Sequence, residues 1–197
     1  MSPLRAAAPA RLVLASANPH KVREFERLLG GAIEVDPLPA GVELPAETGE
    51  TFADNALIKA RAAAATTGRP AFADDSGIAA DALDGAPGVR SARYAGEHAT
   101  DQENLDRLRA EVPPGSNIVY VCVIAYVDGD EERLFEGRCT GRMSAEARGE
   151  RGFGYDPIFI PNDYDDARTM AELADAEKDA ISHRGRAARA LQSWLAG

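Results

Sequence analysis

Two carboxylates stand side by side in Ala73-Asp74-Asp75-Ser76-Gly77, directly after a short apolar stretch. Adjacent carboxylates are costly to hold together without a cation, and Mg²⁺ prefers oxygen ligands. The segment therefore fits a magnesium site. An exposed acidic turn is the alternative interpretation, because Asp, Ser and Gly are common turn residues.

Two lysine-bearing segments suit ligand binding, the first of them a phosphate. Ser16-Ala17-Asn18-Pro19-His20-Lys21 lies between a predicted strand and a predicted helix, where backbone N–H groups and a first-turn lysine attract anions. Asn55 and Lys59 are four residues apart and share one face of a further predicted helix. Glu47, in the loop before that helix, could reach a metal ion. A capped helix with a solvated lysine is the alternative for the first segment. Acidic residues that favour a helix N-terminus, with a solvated lysine, are the alternative for the second.

Of two later segments, one suits a nucleotide base and the other an anionic or carbonyl-bearing partner. Gly152-Phe153-Gly154-Tyr155-Asp156-Pro157 offers rings that can stack on a base and a carboxylate that can accept from its edge. Lys178 precedes Ser182-His183-Arg184, where two basic residues follow a predicted N-cap serine and oppose the helix dipole. That conflict suggests an anionic or carbonyl-bearing partner. Ordinary aromatic packing, a solvated arginine and a satisfied histidine remain open alternatives.

Composition bounds the class of protein. The chain has 197 residues, of which 45% are hydrophobic and 27% charged, which suits a domain with a sizeable core. We expect residues 1–10 to be a flexible N-terminal segment and residues 11–197 to form a single domain. The net charge of -10 argues against binding to nucleic acid or to an anionic membrane. We recognise no signal peptide or membrane-spanning run, so a cytoplasmic protein is expected.

The elements that must position these residues alternate between strand and helix, and a hairpin follows at Asp128-Gly129. This order predicts an α/β fold with a mixed sheet flanked by helices. The strand over 71–73 would deliver Asp74 and Asp75 at its end, and Cys122 would be a buried, reduced thiol. Expected strands cover 11–15, 33–38, 71–73, 118–127, 133–139 and 155–160, and expected helices cover 19–29, 51–65, 100–111 and the residues after Ser182.

Taken in order, these segments resemble the inosine triphosphate pyrophosphatase family, the Ham1-like XTP/dITP diphosphatases. The matching stretches are LVLASANPHKVREF, ETGETFADNALIKARAA, AFADDSGIAADALDGAPGVRSARYAG, GFGYDPIF and AEKDAISHRGRA. The resemblance implies an elongated mixed sheet, two lobes with a central substrate cleft, and a homodimer. It also implies hydrolysis of ITP, dITP, XTP and dXTP to the monophosphate and pyrophosphate, which cleanses the nucleotide pool.

The resemblance further assigns roles to individual residues. Asp75 would be the general base and, with Glu47, would hold Mg²⁺, while Asp74 would support them. Ser16-Ala17 replaces the more usual Thr-Gly of the family. The residues that would contact substrate are Ser16, Asn18, Lys21, Lys59, Ser76, Phe153, Gly154, Tyr155, Asp156, Lys178, His183 and Arg184.

Two other functions compete with this one. A Maf-type pyrophosphatase would act on dTTP or modified pyrimidines, but its pattern favours a basic pair after Ser-Pro, which Asn18-Pro19-His20-Lys21 matches poorly. A non-enzymatic purine nucleotide sensor is the second rival. The joint presence of Lys21, Glu47 and Asp75 argues against it.

Overall fold

The computed structural model of the chain describes residues 11–197, and the predicted flexible segment 1–10 lies outside them. The strands are β1 (Arg11–Leu14), β2 (Glu34–Pro37), β3 (Ala71–Ala80), β4 (Asn117–Asp128), β5 (Glu131–Met143) and β6 (Phe159–Pro161). The α-helices are α1 (Pro19–Leu29), α2 (Phe52–Thr67), α3 (Asp101–Glu111), α4 (Asp175–Ile181) and α5 (His183–Ala196).

All six strands form one sheet in the order β2-β1-β3-β4-β5-β6. Strand β1 pairs in parallel with β2 and β3, whereas β5 and β6 are antiparallel. The sheet is therefore mixed and accompanied by helices, and the predicted fold class is confirmed in that respect.

Local sequence determines where the helices begin. The Asn18 side chain caps α1 and Pro19 takes its first position, as predicted. Thr51 and Asp54 form the reciprocal capping box that opens α2. Ser182 Oγ accepts from the Gly185 N–H at 3.0 Å, so the serine caps α5 as expected. The short helix α4 was not predicted.

One predicted strand is wrong in its first half. The expected strand over 155–160 begins instead with a 3₁₀ turn at Asp156–Ile158, and β6 covers only Phe159–Pro161. Pro157 lacks the N–H that a strand would use in its ladder, which favours the turn. The Ile158 N–H donates to the Tyr155 carbonyl at 3.1 Å. This turn fixes the position of the Asp156 side chain.

The described chain divides into two compact units. The first unit comprises the described residues up to Asp74, Ile124–Phe135 and Ala187–Gly197. The second unit comprises Asp75–Val123 and Glu136–Arg186.

Each unit has an apolar cluster of its own. In the first, the alanine face of α2 (Ala56, Ala60 and Ala63) packs in one cluster with Val13 and Ala125. Trp194 in α5 lies edge-on to Tyr126, with ring centroids 5.1 Å apart, and 5.5 Å from Phe135. In the second, larger side chains dominate, and the cluster includes Ile78, Leu108, Tyr120, Tyr155 and Phe159.

Both cysteines, Cys122 and Cys139, are buried free thiols, which confirms the prediction for Cys122. Burial raises the pKa of Cys139 to about 12, so this thiol stays protonated. None of the helices found in residues 11–197 combines the length and the hydropathy that a bilayer crossing requires.

Candidate functional site

The start of α1 orders the first predicted phosphate segment. Asn18 Oδ1 accepts from the N–H groups of His20 and Lys21 at 2.9 and 3.4 Å. Ser16 Oγ accepts from the Asn18 N–H at 3.2 Å. The segment is therefore a network of side-chain caps that fixes where Lys21 leaves the helix. The Lys21 ammonium lies 3.0 Å from Asp74 Oδ2.

Lys59 joins the same group of charges from α2. Its ammonium donates to Glu47 Oε1 at 2.5 Å and to the Asp74 carbonyl at 2.8 Å. Asn55, one turn earlier, accepts from the Gly49 N–H at 2.8 Å and so anchors the loop that carries Glu47. A lysine cluster results in the first unit, consisting of Lys21, Glu47, Lys59 and Asp74.

Asp74 and Asp75 lie in the middle of β3, and their predicted location at a strand end is wrong. Successive side chains of a strand point to opposite faces, so the two carboxylates diverge. Asp74 meets Lys21, whereas Asp75 Oδ1 accepts from the Ser76 N–H at 3.0 Å. Both are buried, with 1% and 6% of their surface exposed. An acidic exposed turn is thereby excluded.

The strand continues beyond Asp75 because Gly77 permits a close approach. A Cβ at Gly77 would lie 2.4 Å from Ser91 Oγ and 2.6 Å from the Gly88 carbonyl. Ser91 Oγ accepts from the Ile78 N–H at 2.9 Å and donates to Gly88 at 2.6 Å. Ser91 thus supplies hydrogen bonds beside the DDSG segment, and no feature of the sequence had singled it out.

A second group, the Asp156 cluster, forms in the second unit from Tyr120, Phe153, Asp156, Lys178 and His183. Asp156 Oδ2 accepts from Lys178 Nζ at 2.8 Å and from the Phe153 N–H at 3.0 Å. Asp156 Oδ1 accepts from the Tyr120 hydroxyl at 3.2 Å. Both carboxylate oxygens therefore have donors within the protein. This makes Asp156 an organiser of its neighbours as well as a candidate base contact.

Phe153 is half-buried and faces two cations. Lys178 Nζ lies 5.3 Å from its ring centroid, and the Arg184 guanidinium carbon 5.6 Å. Arg184 also donates to Ser76 Oγ at 2.9 Å. The structure thus brings Ser76, Phe153, Lys178 and Arg184 together within the second unit, as an aromatic ring bordered by hydrogen-bond donors.

Gly154 and Tyr155 are directed elsewhere. The Gly154 N–H donates to Asp101 Oδ2 at 3.1 Å, which ties the loop to the start of α3. The Tyr155 ring belongs to the apolar core, and its hydroxyl donates to the Ser91 carbonyl at 2.7 Å. Burial raises the pKa of Tyr155, so this hydroxyl remains a donor.

Carboxylates within residues 11–197 are not gathered into a group of three or more side chains that could by itself hold a metal ion. Mg²⁺ is commonly bound through one or two carboxylates together with substrate phosphates. Glu47 is suited to such a role, since its side chain is 31% exposed and carries hard oxygen donors. The residues present therefore fit a magnesium ion that binds with a phosphate substrate.

Comparison with known proteins covers nearly the whole chain. A model of the Ham1 family matches residues 12–194. A dITP/XTP pyrophosphatase of Symbiobacterium thermophilum is 51% identical over 189 residues, covering 92% of this chain and 93% of that protein. A protein of the same name from Erwinia tasmaniensis is 48% identical over 92% of each chain. The solved structure of a HAM1 protein from Coxiella burnetii has a TM-score of 0.83 and 44% identity, and the match covers 94% of this chain and 98% of that one.

Proposed function

The chain belongs to the Ham1 family, as its motifs predict, and we propose that it is a nucleoside triphosphate pyrophosphatase acting on dITP and XTP, and on ITP and dXTP. The reaction is hydrolysis of the triphosphate to the nucleoside monophosphate and pyrophosphate. The observation that carries this proposal is the match to proteins named dITP/XTP pyrophosphatase over more than nine-tenths of both chains.

The lysine cluster supports binding of the triphosphate. Lys21 and Lys59 are held by carboxylates and by capped helix ends, so their positions are set before substrate arrives. Fixed cations near a leaving pyrophosphate stabilise the charge that develops on it. We propose that both lysines transfer part of their hydrogen bonding from Glu47 and Asp74 to phosphate oxygens, with Ser16 and Asn18 at the neighbouring helix start.

The cofactor we propose is Mg²⁺, with Glu47 and Asp75 as its ligands and Asp74 in support. When bound, Mg²⁺ polarises phosphate oxygens and acidifies water. Asp75 then acts as the general base, taking a proton from the water that attacks the α-phosphorus. The Ser76 N–H donates to Asp75 Oδ1 at 3.0 Å and so orients this carboxylate.

Base recognition is assigned to the second unit. Phe153 offers a half-buried ring on which a purine can stack, an interaction of about 1–3 kcal/mol. Inosine and xanthine carry a 6-oxo acceptor where adenine carries an amino donor. His183 and Arg184 can donate to that oxygen, and adenine would leave those donors unpaired, which is strongly unfavourable.

The test is a panel of triphosphates incubated with Mg²⁺, with nucleotide products separated directly. We expect dITP to give dIMP and pyrophosphate. Formation of dIDP and orthophosphate would contradict attack at the α-phosphorus. Turnover of dTTP in preference to dITP would favour the Maf-type alternative, and tight binding of dITP with no products would favour the sensor.

We also propose that the enzyme is a homodimer and that it is cytoplasmic. We propose no nucleic acid as a partner. Light scattering coupled to size-exclusion chromatography should give twice the chain mass of 20.9 kDa. A monomer with full activity on dITP would overturn the dimer while leaving the reaction unaffected.

A further inference from the structure

Tyr120 lies in β4 and is 6% exposed. Its ring stacks on Phe159 on one side, with centroids 4.3 Å apart and planes 18° from parallel. It also stacks on His183, at 4.6 Å and 15°. The imidazole plane of His183 is therefore set by an aromatic surface that is itself fixed in the core.

The hydroxyl of the same residue reaches the carboxylate of Asp156. It donates to Oδ1 at 3.2 Å, while Lys178 Nζ and the Phe153 N–H occupy Oδ2 at 2.8 and 3.0 Å. Burial, reinforced by the nearby carboxylate, raises the pKa of Tyr120 well above its usual value. The hydroxyl therefore keeps its proton at neutral pH and remains a donor to Asp156.

We propose that Tyr120 is a positioning residue for base selectivity, holding His183 through its ring and Lys178 and Phe153 through Asp156. The inference rests on the proposed function, since it concerns the residues assigned there to the base. One side chain thereby orients three candidate base contacts. Tyr120 touches none of the reacting atoms and acts only through these neighbours.

If Tyr120 had a purely structural role, its substitution would affect stability and not substrate selectivity. If Tyr120 served only to fill the core, Tyr120→Phe would change the stability and leave substrate discrimination alone, because the ring that packs against Phe159 is retained. If the hydroxyl positions Asp156, the same variant loosens Lys178 and Phe153. Contacts to the base are made in the ground state and the transition state alike, so their weakening raises KM more than it lowers kcat.

The chain supplies a matched control in Tyr126. This residue lies on the same strand, is 2% exposed, and also directs its hydroxyl to a carboxylate, Asp128 Oδ2, at 3.3 Å. It belongs to the first unit and has no proposed contact with substrate. Tyr126→Phe therefore removes a comparable buried hydroxyl outside the Asp156 cluster.

The experiment measures kcat and KM for dITP and dATP with the full-length protein and both variants. The unchanged protein must first hydrolyse dITP; if it does not, the proposed function fails whatever Tyr120 does. For Tyr120→Phe we expect a KM for dITP about 10-fold higher, a kcat within about twofold, and a preference for dITP over dATP reduced by about fivefold. Tyr126→Phe should leave all three within about twofold.

Unchanged KM and unchanged selectivity in Tyr120→Phe would overturn the proposal, even with lowered stability. So would equal effects of Tyr120→Phe and Tyr126→Phe, because that equality would indicate a general response to a lost buried hydroxyl. Tyr120→Leu removes the ring as well, and a further loss of selectivity beyond Tyr120→Phe would support the contact with His183. If Tyr120→Leu fails to fold, the KM and selectivity of Tyr120→Phe alone decide whether Tyr120 positions the base contacts.

Discussion

The lysine cluster and the Asp156 cluster both pair ammonium groups with carboxylates, but their surroundings differ. In the first, each ion pair has one partly exposed member, Lys21 at 15% and Glu47 at 31% of the side chain, whereas Asp74 and Lys59 are buried at 0% and 8%. In the second, the side chains of Lys178 and Asp156 are 8% and 5% exposed, and a tyrosine hydroxyl and a backbone N–H complete the carboxylate.

Exposure decides which of these side chains can change partner. Water reaches Lys21 and Glu47 and weakens their ion pairs, so these two side chains can turn to a phosphate or a metal ion at little cost. A buried pair with every oxygen occupied is costly to break, at about 3–5 kcal/mol, because one charge would be left buried alone. We infer that the first cluster rearranges when substrate binds and that the second keeps its shape.

The largest effect is expected from Asp75→Asn. The substitution removes the proposed base and a metal ligand while keeping the size of the side chain, so hydrolysis of dITP should fall by at least about 1,000-fold. Circular dichroism should show an unchanged fold. Asp84→Asn is the control, since it makes the same change of charge at an exposed position. Near-normal turnover by Asp75→Asn would refute the assignment.

Gly152→Ala tests whether the second cluster is as closely packed as its contacts indicate. A Cβ there would lie 2.0 Å from Asp156 Oδ2, and Gly152 has φ +75°. Gly154, with φ +60°, has nothing within 4 Å of its Cβ position. Both substitutions should cost about 1–2 kcal/mol through backbone strain.

At Gly152 alone, the clash of the added Cβ with Asp156 Oδ2 should lower the free energy of unfolding further. We expect Gly152→Ala to be less stable than Gly154→Ala by at least about 2 kcal/mol in urea unfolding. Equal losses for the two variants would mean that the Asp156 cluster adjusts easily, and the contrast between the clusters would fail.

Glu47→Gln tests exchange in the first cluster. The variant keeps a side chain that Lys59 can still bond but loses a charged metal ligand. We expect the Mg²⁺ concentration needed for half-maximal activity to rise at least about 10-fold. The free energy of unfolding should change by less than about 1 kcal/mol, because the Glu47 side chain is 31% exposed and Gln can still accept from Lys59. A large loss of stability with unchanged Mg²⁺ dependence would show that this ion pair is structural.

The smallest effect concerns acid stability at α4, the helix that carries Lys178. Hydrogen bonds from Arg168, and then from the Ala174 N–H, lower the pKa of Glu177 from 4.5 to about 2. A carboxyl with a lowered pKa in the folded state stabilises it above pH 4.5, and this contribution disappears as the pH falls towards 2. Because 37% of the Glu177 side chain is exposed and water weakens its ion pair, the effect should be small.

The contribution of Glu177 to acid stability can be measured by urea unfolding at pH 6 and pH 3. The unchanged protein is compared with Glu177→Gln. The drop in unfolding midpoint between these conditions should be smaller in the variant. Glu136→Gln, which removes an exposed carboxylate of β5, should retain the full drop. An identical drop in unfolding midpoint in all three proteins would show that Glu177 does not contribute to acid stability.

Much of the fold could be predicted because local interactions specify it. Asn18-Pro19 and Thr51 begin helices through their own side chains, and Asp128-Gly129 joins β4 to β5. These signals depend on residues within a few positions of one another. The helix starts and the turn could therefore be predicted without the rest of the chain.

The location of Asp74 and Asp75 could not be predicted in the same way. A run of Asp, Ser and Gly predicts a turn, yet β3 continues because Ser91, from a later segment, bonds to Ile78 where Gly77 leaves room. Tyr120 was missed for a similar reason. A tyrosine in an apolar strand has the pattern of a core residue, and only tertiary packing brings its hydroxyl to Asp156.

Trp194 is the only tryptophan of the chain, and it packs against Tyr126 and Phe135 in the first unit. Its fluorescence emission should therefore follow the opening of that unit, whereas far-ultraviolet circular dichroism follows the helices of both. If the two signals change at the same urea concentration, the units unfold as one cooperative body. If the emission shifts at a lower or a higher urea concentration than the circular dichroism, Trp194 reports which of the two units unfolds first.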